Sequence, residues 1–290
     1  VYSQISPHRA ERVDLQGRYG PVAALRVPAV GDALKATALL VPGYTGSKED
    51  FAPVLDGIAD AGFEALAIDL PGQYESAGPL TEPEYRPAPL GAAIAELVEK
   101  LTAEGRRVLL LGHSYGGLVS RAAVLAGAPV AGLTLLSSGP SELPAGERRT
   151  ALDIGEQILA ARGFEGAQQL HELRSVANPR YAAMPDELKN FLKERFLRSS
   201  PAGLVGMGNG LRHEPDLVAK LGRALRAGGT PCLVVCGDQD DAWSPASQRD
   251  MAERLDADFA VLPGAAHSPN TEAPVELLAT LLPTWRAWLS

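Results

Sequence analysis

Short runs of consecutive apolar residues recur along the chain, separated by stretches in which apolar residues fall three or four apart. The runs are Lys35–Val41, Ala65–Leu70, Val108–Leu111, Gly132–Leu136, Thr230–Cys236 and Phe259–Leu262. Unbroken apolar runs of this length predict strands buried on both faces. The stretches between them predict helices. Ser47-x-x-Asp50 resembles a capping box for a helix reaching about Ala61, with Phe51, Val54, Leu55 and Ile58 on one face and Gly62 as its stop. Further helices are expected over Leu90–Ala103, Tyr115–Leu125, Pro215–Ala227, Ala246–Leu255 and Glu272–Leu289, the last interrupted near Pro283. Residues 11–16 and 20–28 read as an opening hairpin around Gly17 and Gly20, and residues 71–89, rich in Pro and Gly, as a surface loop. Strand and helix alternating at short intervals predict an α/β fold, a mostly parallel sheet with helices on both faces and right-handed crossovers.

The alternation breaks at Ser137-Ser138-Gly139-Pro140. From about Glu142 to Asn209 only helical periodicity remains, in three stripes: Ile154, Ile158 and Leu159; Leu170, Leu173 and Ala177; and Leu188, Phe191, Leu192 and Phe196. Gly203, Gly206, Gly208 and Gly210 read as a flexible exit from it. The expected organisation is a core of residues 1–140 and 211–290 with an inserted helical cap, 141–210, lying over the strand ends.

Composition narrows the class. With 27 basic and 35 acidic residues the net charge is −8, and no Lys/Arg run occurs, which argues against nucleic acid or an anionic membrane as partner. No stretch of about 18 apolar residues is present, so no membrane span is expected. The opening VYSQISPHRAERVDLQ is polar and carries no signal-peptide core. Cys232 and Cys236 share one predicted strand, about 13 Å apart at strand rise, too far for a disulfide. Buried free thiols and a cytoplasmic setting are the expectation. Neither a metal-ligand set such as HExxH nor a nucleotide-binding glycine loop stands out, so no cofactor is expected. The partner is a small-molecule substrate; no feature specifies an oligomeric state.

The candidate chemistry centres on Gly112-His113-Ser114-Tyr115-Gly116, a G-x-S-x-G pattern between a predicted strand and a predicted helix. Lifting the Ser114 hydroxyl clear of the sheet demands a tight, strained reversal. The residues two before and two after the serine then crowd together, so both must be glycine. A serine hydroxyl is a weak nucleophile without a base, and the base needs an orienting acid. In a parallel sheet both belong on loops that follow strands. Thr230–Cys236 leads into Gly237-Asp238-Gln239-Asp240-Asp241-Ala242-Trp243, where Asp240 is the favoured acid, ahead of Asp241 and Asp238. The last strand leads into Pro263-Gly264-Ala265-Ala266-His267, and His267 is the candidate base. His8, His171 and His213 read as structural. His113 is a possible pocket residue, its side chain expected to turn into the sheet region rather than toward Ser114. Acyl transfer also needs donors for an oxyanion. The Tyr115 N–H, at a helix start, is one. The Tyr44 N–H, in the Pro42-Gly43-Tyr44 loop after Lys35–Val41, is the other. Gly43 and Trp243 complete the possible substrate pocket.

Elbow, oxyanion loop, late acid and late histidine together resemble the α/β-hydrolase superfamily over nearly the whole chain. The resemblance implies an eight-stranded mostly parallel sheet, and roles for Ser114, Asp240 and His267 as nucleophile, acid and base and for Tyr44 and Tyr115 as oxyanion donors. Many relatives carry His-Gly where this chain has Pro42-Gly43, a substitution that removes a side-chain brace from the oxyanion loop but keeps its backbone donor. Relatives that open epoxides or cleave carbon–halogen bonds place Asp at the elbow, so Ser114 argues against those reactions. The implied activity is hydrolysis of a carboxylic ester, or a related acyl bond, of a small apolar substrate, as in capped esterases and lipases. Carbon–carbon hydrolase, perhydrolase or lyase chemistry on the same residues, and a non-catalytic small-ligand receptor, are the alternatives.

Overall fold

A computed structural model describes residues 1–176 and 179–290. Eight strands form one sheet: β1 (Glu11–Gly17), β2 (Gly20–Val27), β3 (Ala36–Val41), β4 (Glu64–Ile68), β5 (Arg107–His113), β6 (Gly132–Leu136), β7 (Cys232–Gly237) and β8 (Asp258–Leu262). Their order is β1-β2-β4-β3-β5-β6-β7-β8. The hairpin β1–β2 is antiparallel and joins β4 antiparallel, and every later pair is parallel. This is the sheet the sequence predicts, eight-stranded and mostly parallel.

The unbroken apolar runs are explained by what covers the two faces. In β5, Val108 and Leu110 pack into one core while Leu109 and Leu111 pack into the other. The first core lies under α2 (Pro87–Ala103), α3 (Tyr115–Leu125), α8 (Val218–Gly228) and α9 (Pro245–Leu255). The second lies under α1 (Ala52–Asp60) and α11 (Pro274–Trp288), with Trp285 fully buried. In β3 to β7 period-two alternation is absent because neither face meets water.

Three local expectations need correction. The helix after Ser47 starts as a 3-10 turn, Lys48–Phe51, before α1. Pro283 does not interrupt the last helix; it sits inside α11, and the break falls earlier, between the short α10 (Pro269–Glu272) and Pro274. The glycines at 203–210 are no flexible exit. They lie in α7 (Pro201–His213), and a Cβ on Gly206 would fall 2.2 Å from the Glu82 carbonyl oxygen, so the missing side chain lets α7 lie flat on the turn at Glu82–Tyr85.

Between β6 and β7 the chain forms α4 (Glu147–Val176), α5 (Pro179–Ala182), α6 (Asp186–Arg198) and α7. Helix α4 is broken at Gly163, where φ is 68°. The two ends of this insert are joined: the Glu142 N–H donates to the Glu214 carbonyl and the Leu143 N–H to the Leu211 carbonyl, each at 2.7 Å. Ala177, expected in an apolar stripe, lies outside the described residues, and Leu173 of that stripe is exposed.

Candidate active site

The parallel strands end at one edge of the sheet. In register, Val41 of β3 faces Gly112 of β5, His113 faces Leu136 of β6, and Leu136 faces Val235 of β7. The loops carrying residues 42–47, 114, 238–244 and 263–268 therefore leave from the same rim.

Ser114 sits between β5 and α3 with φ 55° and ψ −119°, a backbone state L-residues adopt only under strain. The flanking glycines are obligatory. A Cβ on Gly112 would lie 2.2 Å from the Gly116 carbonyl oxygen, and one on Gly116 would lie 2.4 Å from that of Pro42. The turn is further held by Ser138, whose hydroxyl donates to the Ser114 carbonyl at 2.8 Å.

Three residues far apart in sequence meet here. The Ser114 hydroxyl lies 2.9 Å from His267 Nε2, and His267 Nδ1 lies 2.9 Å from Asp240 Oδ1. The carboxylate can only accept, so Nδ1 carries the proton and Nε2 is left to accept from the serine. Burial pushes the Asp240 carboxyl up, but the hydrogen bonds from His267, the Ala242 N–H and Gln248 outweigh it and hold it below the ordinary carboxylate range. Asp241 instead pairs with Arg148 at the surface, and Asp238 accepts from the Gly264 N–H.

The Gly43 loop presses on the serine: a Cβ on Gly43 would lie 3.1 Å from that of Ser114. No protein group takes the Tyr44 N–H among the described residues. Tyr115 is the first residue of α3, so its N–H has no partner within the helix. His113 is buried, and its ring does not face Ser114; Nε2 meets the His267 carbonyl oxygen at 2.8 Å. Since a carbonyl only accepts, that nitrogen holds the proton. Burial and the neighbouring His267 push the His113 pKa down to about 4. Trp243 is buried, and its indole N–H donates to the Glu142 carbonyl at the neck of the insert.

Ser114, His267, Gly43, Tyr44, His113 and Trp243 all line one cavity of about 1170 Å³, roofed by residues from α4, α6 and α7. Leu152, Leu159, Leu170, Phe196, Leu204 and Leu211 supply much of its wall. Its arginines are all paired: Arg195 with Asp50 at 2.7 Å, Arg148 with Asp241 at 2.8 Å, and Arg212 with Asp153 at 2.6 Å.

Sequence reasoning missed the groups that hold these residues in place. Gln248 donates to both Asp240 Oδ2 and the Trp243 carbonyl. Glu272 accepts from the Ala266 and Ser268 N–H groups on either side of His267. Gln73 donates to the Gly43 carbonyl. A Gln or Glu bracing a loop through one or two hydrogen bonds has no spacing rule that marks it.

The family model described as "Alpha/beta hydrolase family" matches residues 38–281. No curated protein matches the chain. Among solved structures, a thermophilic esterase from Thermogutta terrifontis superposes with a TM-score of 0.72 at 22% identity, covering 97% of this chain and all of the other. A structure from a study of carboxylesterases of Nitrososphaera gargenis gives 0.73 at 19%, covering 95% and 98%. The esterase RhEst1 from Rhodococcus sp. gives 0.71 at 20%, covering 96% and 99%. Identities this low establish a shared fold.

Proposed function

The chain belongs to the alpha/beta hydrolase family, and we propose that it hydrolyses carboxylic esters through an acyl-enzyme. The observation that carries the proposal is the unbroken line from the Ser114 hydroxyl through His267 to Asp240, with both bonds at 2.9 Å. In this reading His267 removes the serine proton as Ser114 attacks the ester carbonyl. Asp240 holds the ring in the required tautomer and stabilises the imidazolium. The Tyr44 and Tyr115 N–H groups take the charge that develops on oxygen. His267 then protonates the departing alcohol, and water activated by the same ring releases the acid. The solved esterases of this fold support the choice of an ester as the acyl bond.

Residues 141–210 act as a cap over a core of 1–140 and 211–290, and they select the substrate. Because leucines and Phe196 supply much of the cavity wall and its arginines are paired, the substrate is uncharged and apolar near the scissile bond. A volume of about 1170 Å³ accommodates an acyl or alcohol group much larger than acetate. The two buried free thiols, Cys232 and Cys236, suit a reducing cytoplasmic setting. Among the described residues no helix is long and apolar enough to cross a membrane.

The test is p-nitrophenyl ester hydrolysis across graded acyl chain lengths, together with fluorophosphonate labelling. The expected result is turnover that rises beyond acetate, with label on Ser114 that disappears in Ser114→Ala. A folded wild type that neither hydrolyses nor labels, or a Ser114→Ala variant that labels equally well, would contradict the reading.

A further inference from the structure

We infer that Gln73 is the positioning residue of the oxyanion hole, fixing the Gly43–Tyr44 peptide so that its N–H stays aimed at the reacting carbonyl. The inference rests on the ester-hydrolase reading of the site.

The Gly43 carbonyl and the Tyr44 N–H belong to one peptide unit. No peptide among the described residues is cis, so these two groups point in opposite directions. Whatever holds the carbonyl therefore sets the direction of the N–H. Gln73 Nε2 donates to that carbonyl at 2.7 Å, and the Gly46 N–H donates to it at 3.0 Å. The Gln73 amide is itself oriented, because Oε1 accepts from the Leu70 N–H at 3.0 Å, which leaves only the NH2 end for Gly43. Gln73 is 3% exposed, so water has little access to either bond.

The loop carrying Gln73 is anchored without it. Asp69 Oδ2 accepts from the Glu75 N–H, and the Ser76 hydroxyl donates to the Asp69 carbonyl while accepting from the Ala23 N–H in β2. Tyr74 donates its N–H to Ser199, and the Ser200 N–H donates to the Gly72 carbonyl, tying the loop to the junction of α6 and α7. Gln73 thus reaches from a fixed loop to the oxyanion peptide. It is not part of the wall of the reactive cavity.

The experiment compares Gln73→Glu, which keeps the acceptor for Leu70 but cannot donate to Gly43 when ionised, with Gln73→Met, which keeps the volume and loses both bonds. Each is assayed for kcat and KM on a p-nitrophenyl ester, for the Ki of a trifluoromethyl ketone that forms a tetrahedral adduct, and for Tm. A donor held loosely should cost less than a donor deleted, so kcat should fall roughly 10- to 100-fold. KM should stay within about twofold, and the ketone Ki should rise in step with the loss in kcat/KM. Variants that keep kcat within about threefold, or that lose kcat and folded protein together in both substitutions, would overturn the inference. A wild type without esterase activity would instead sink the ester-hydrolase reading, so the two failures are distinguishable.

Discussion

Helices α3 and α4 lead away from the same rim under opposite rules. In α3 every residue from Tyr115 to Val124 is buried, including Arg121, which is matched by Glu214. In α4, thirty residues long, Ala167 and Gln168 are the buried positions among those described. The first is held by packing on all sides, so the serine at its N-terminus has one geometry. The second is an exposed or half-exposed wall over most of its length, and its outline depends on single side chains. On the proposed reading, reactivity is set where substitution is costly, and substrate choice where it is cheap. Breaking that division experimentally means altering one region and reading the other's property.

The largest effect is expected at the rim. Ser114→Ala should reduce kcat/KM roughly 10⁴-fold or more, and Asp240→Asn roughly 10³- to 10⁴-fold, because an amide can present its NH2 to Nδ1 and stabilise the wrong imidazole tautomer. In both, KM for the ester should move little, since the cavity wall is unchanged. A large KM change in either, with kcat preserved, would mean that the rim selects substrate and would break the division.

Next in size is a stability effect. His113 has its pKa pushed down from 6.5 to about 4 by burial and by His267. The folded state therefore binds fewer protons than the unfolded state between those values. Stability contributed by the neutral ring is fully present above about pH 6.5 and is lost as pH falls toward 4. At about 1.4 kcal/mol per unit, that span bounds the loss at a few kcal/mol. His113→Gln, whose amide can still donate to the His267 carbonyl, should be less stable at pH 7 but lose less between pH 7 and 4 in urea unfolding. Parallel pH curves for wild type and variant would show that the buried ring does not titrate there.

Much of this division is legible in the sequence, and what is not has a common cause. The strands announce themselves because a strand covered on both faces must be continuously apolar, as Leu109–Leu111 are. The elbow is legible because Gly112 and Gly116 are sterically forced. Asp240 and His267 follow from topology, since loops after parallel strands share an edge. Those signals are local or periodic. Gln73, Gln248 and Glu272 carry none, because each braces a loop through one or two hydrogen bonds that no period or motif marks. Pro283 misleads for a related reason: packing of Leu281 and Trp285 on the sheet outweighs one missing backbone bond.

A smaller effect is expected in the roof. Leu170→Trp adds volume to a cavity-lining position of α4. It should shorten the preferred acyl chain and lower kcat/KM for the longest ester about 10-fold, the scale of steric discrimination in apolar pockets. Activity on p-nitrophenyl acetate should stay within about twofold. Equal losses on all chain lengths would mean that the roof contributes to the chemistry and not only to choice.

The smallest effect concerns the pair that joins the two regions. Arg148, near the start of α4, meets Asp241, the neighbour of the candidate acid, at 2.8 Å, with side chains 42% and 61% exposed. Exposed pairs contribute about 0–1 kcal/mol and are screened by salt. Arg148→Ala should therefore lower stability by no more than about 1 kcal/mol, with kcat and KM within about twofold of wild type. The reason is structural: the neck bonds at Glu142 and Leu143 hold the insert without this pair, and Asp240 keeps its three donors whether or not Asp241 is engaged. If the pair instead latched a moving roof, the variant would change kcat by an order of magnitude, and wild type in 1 M salt would reproduce that change. Such a match would make α4 a gate, and its sparse burial would then reflect a need to move rather than freedom to vary.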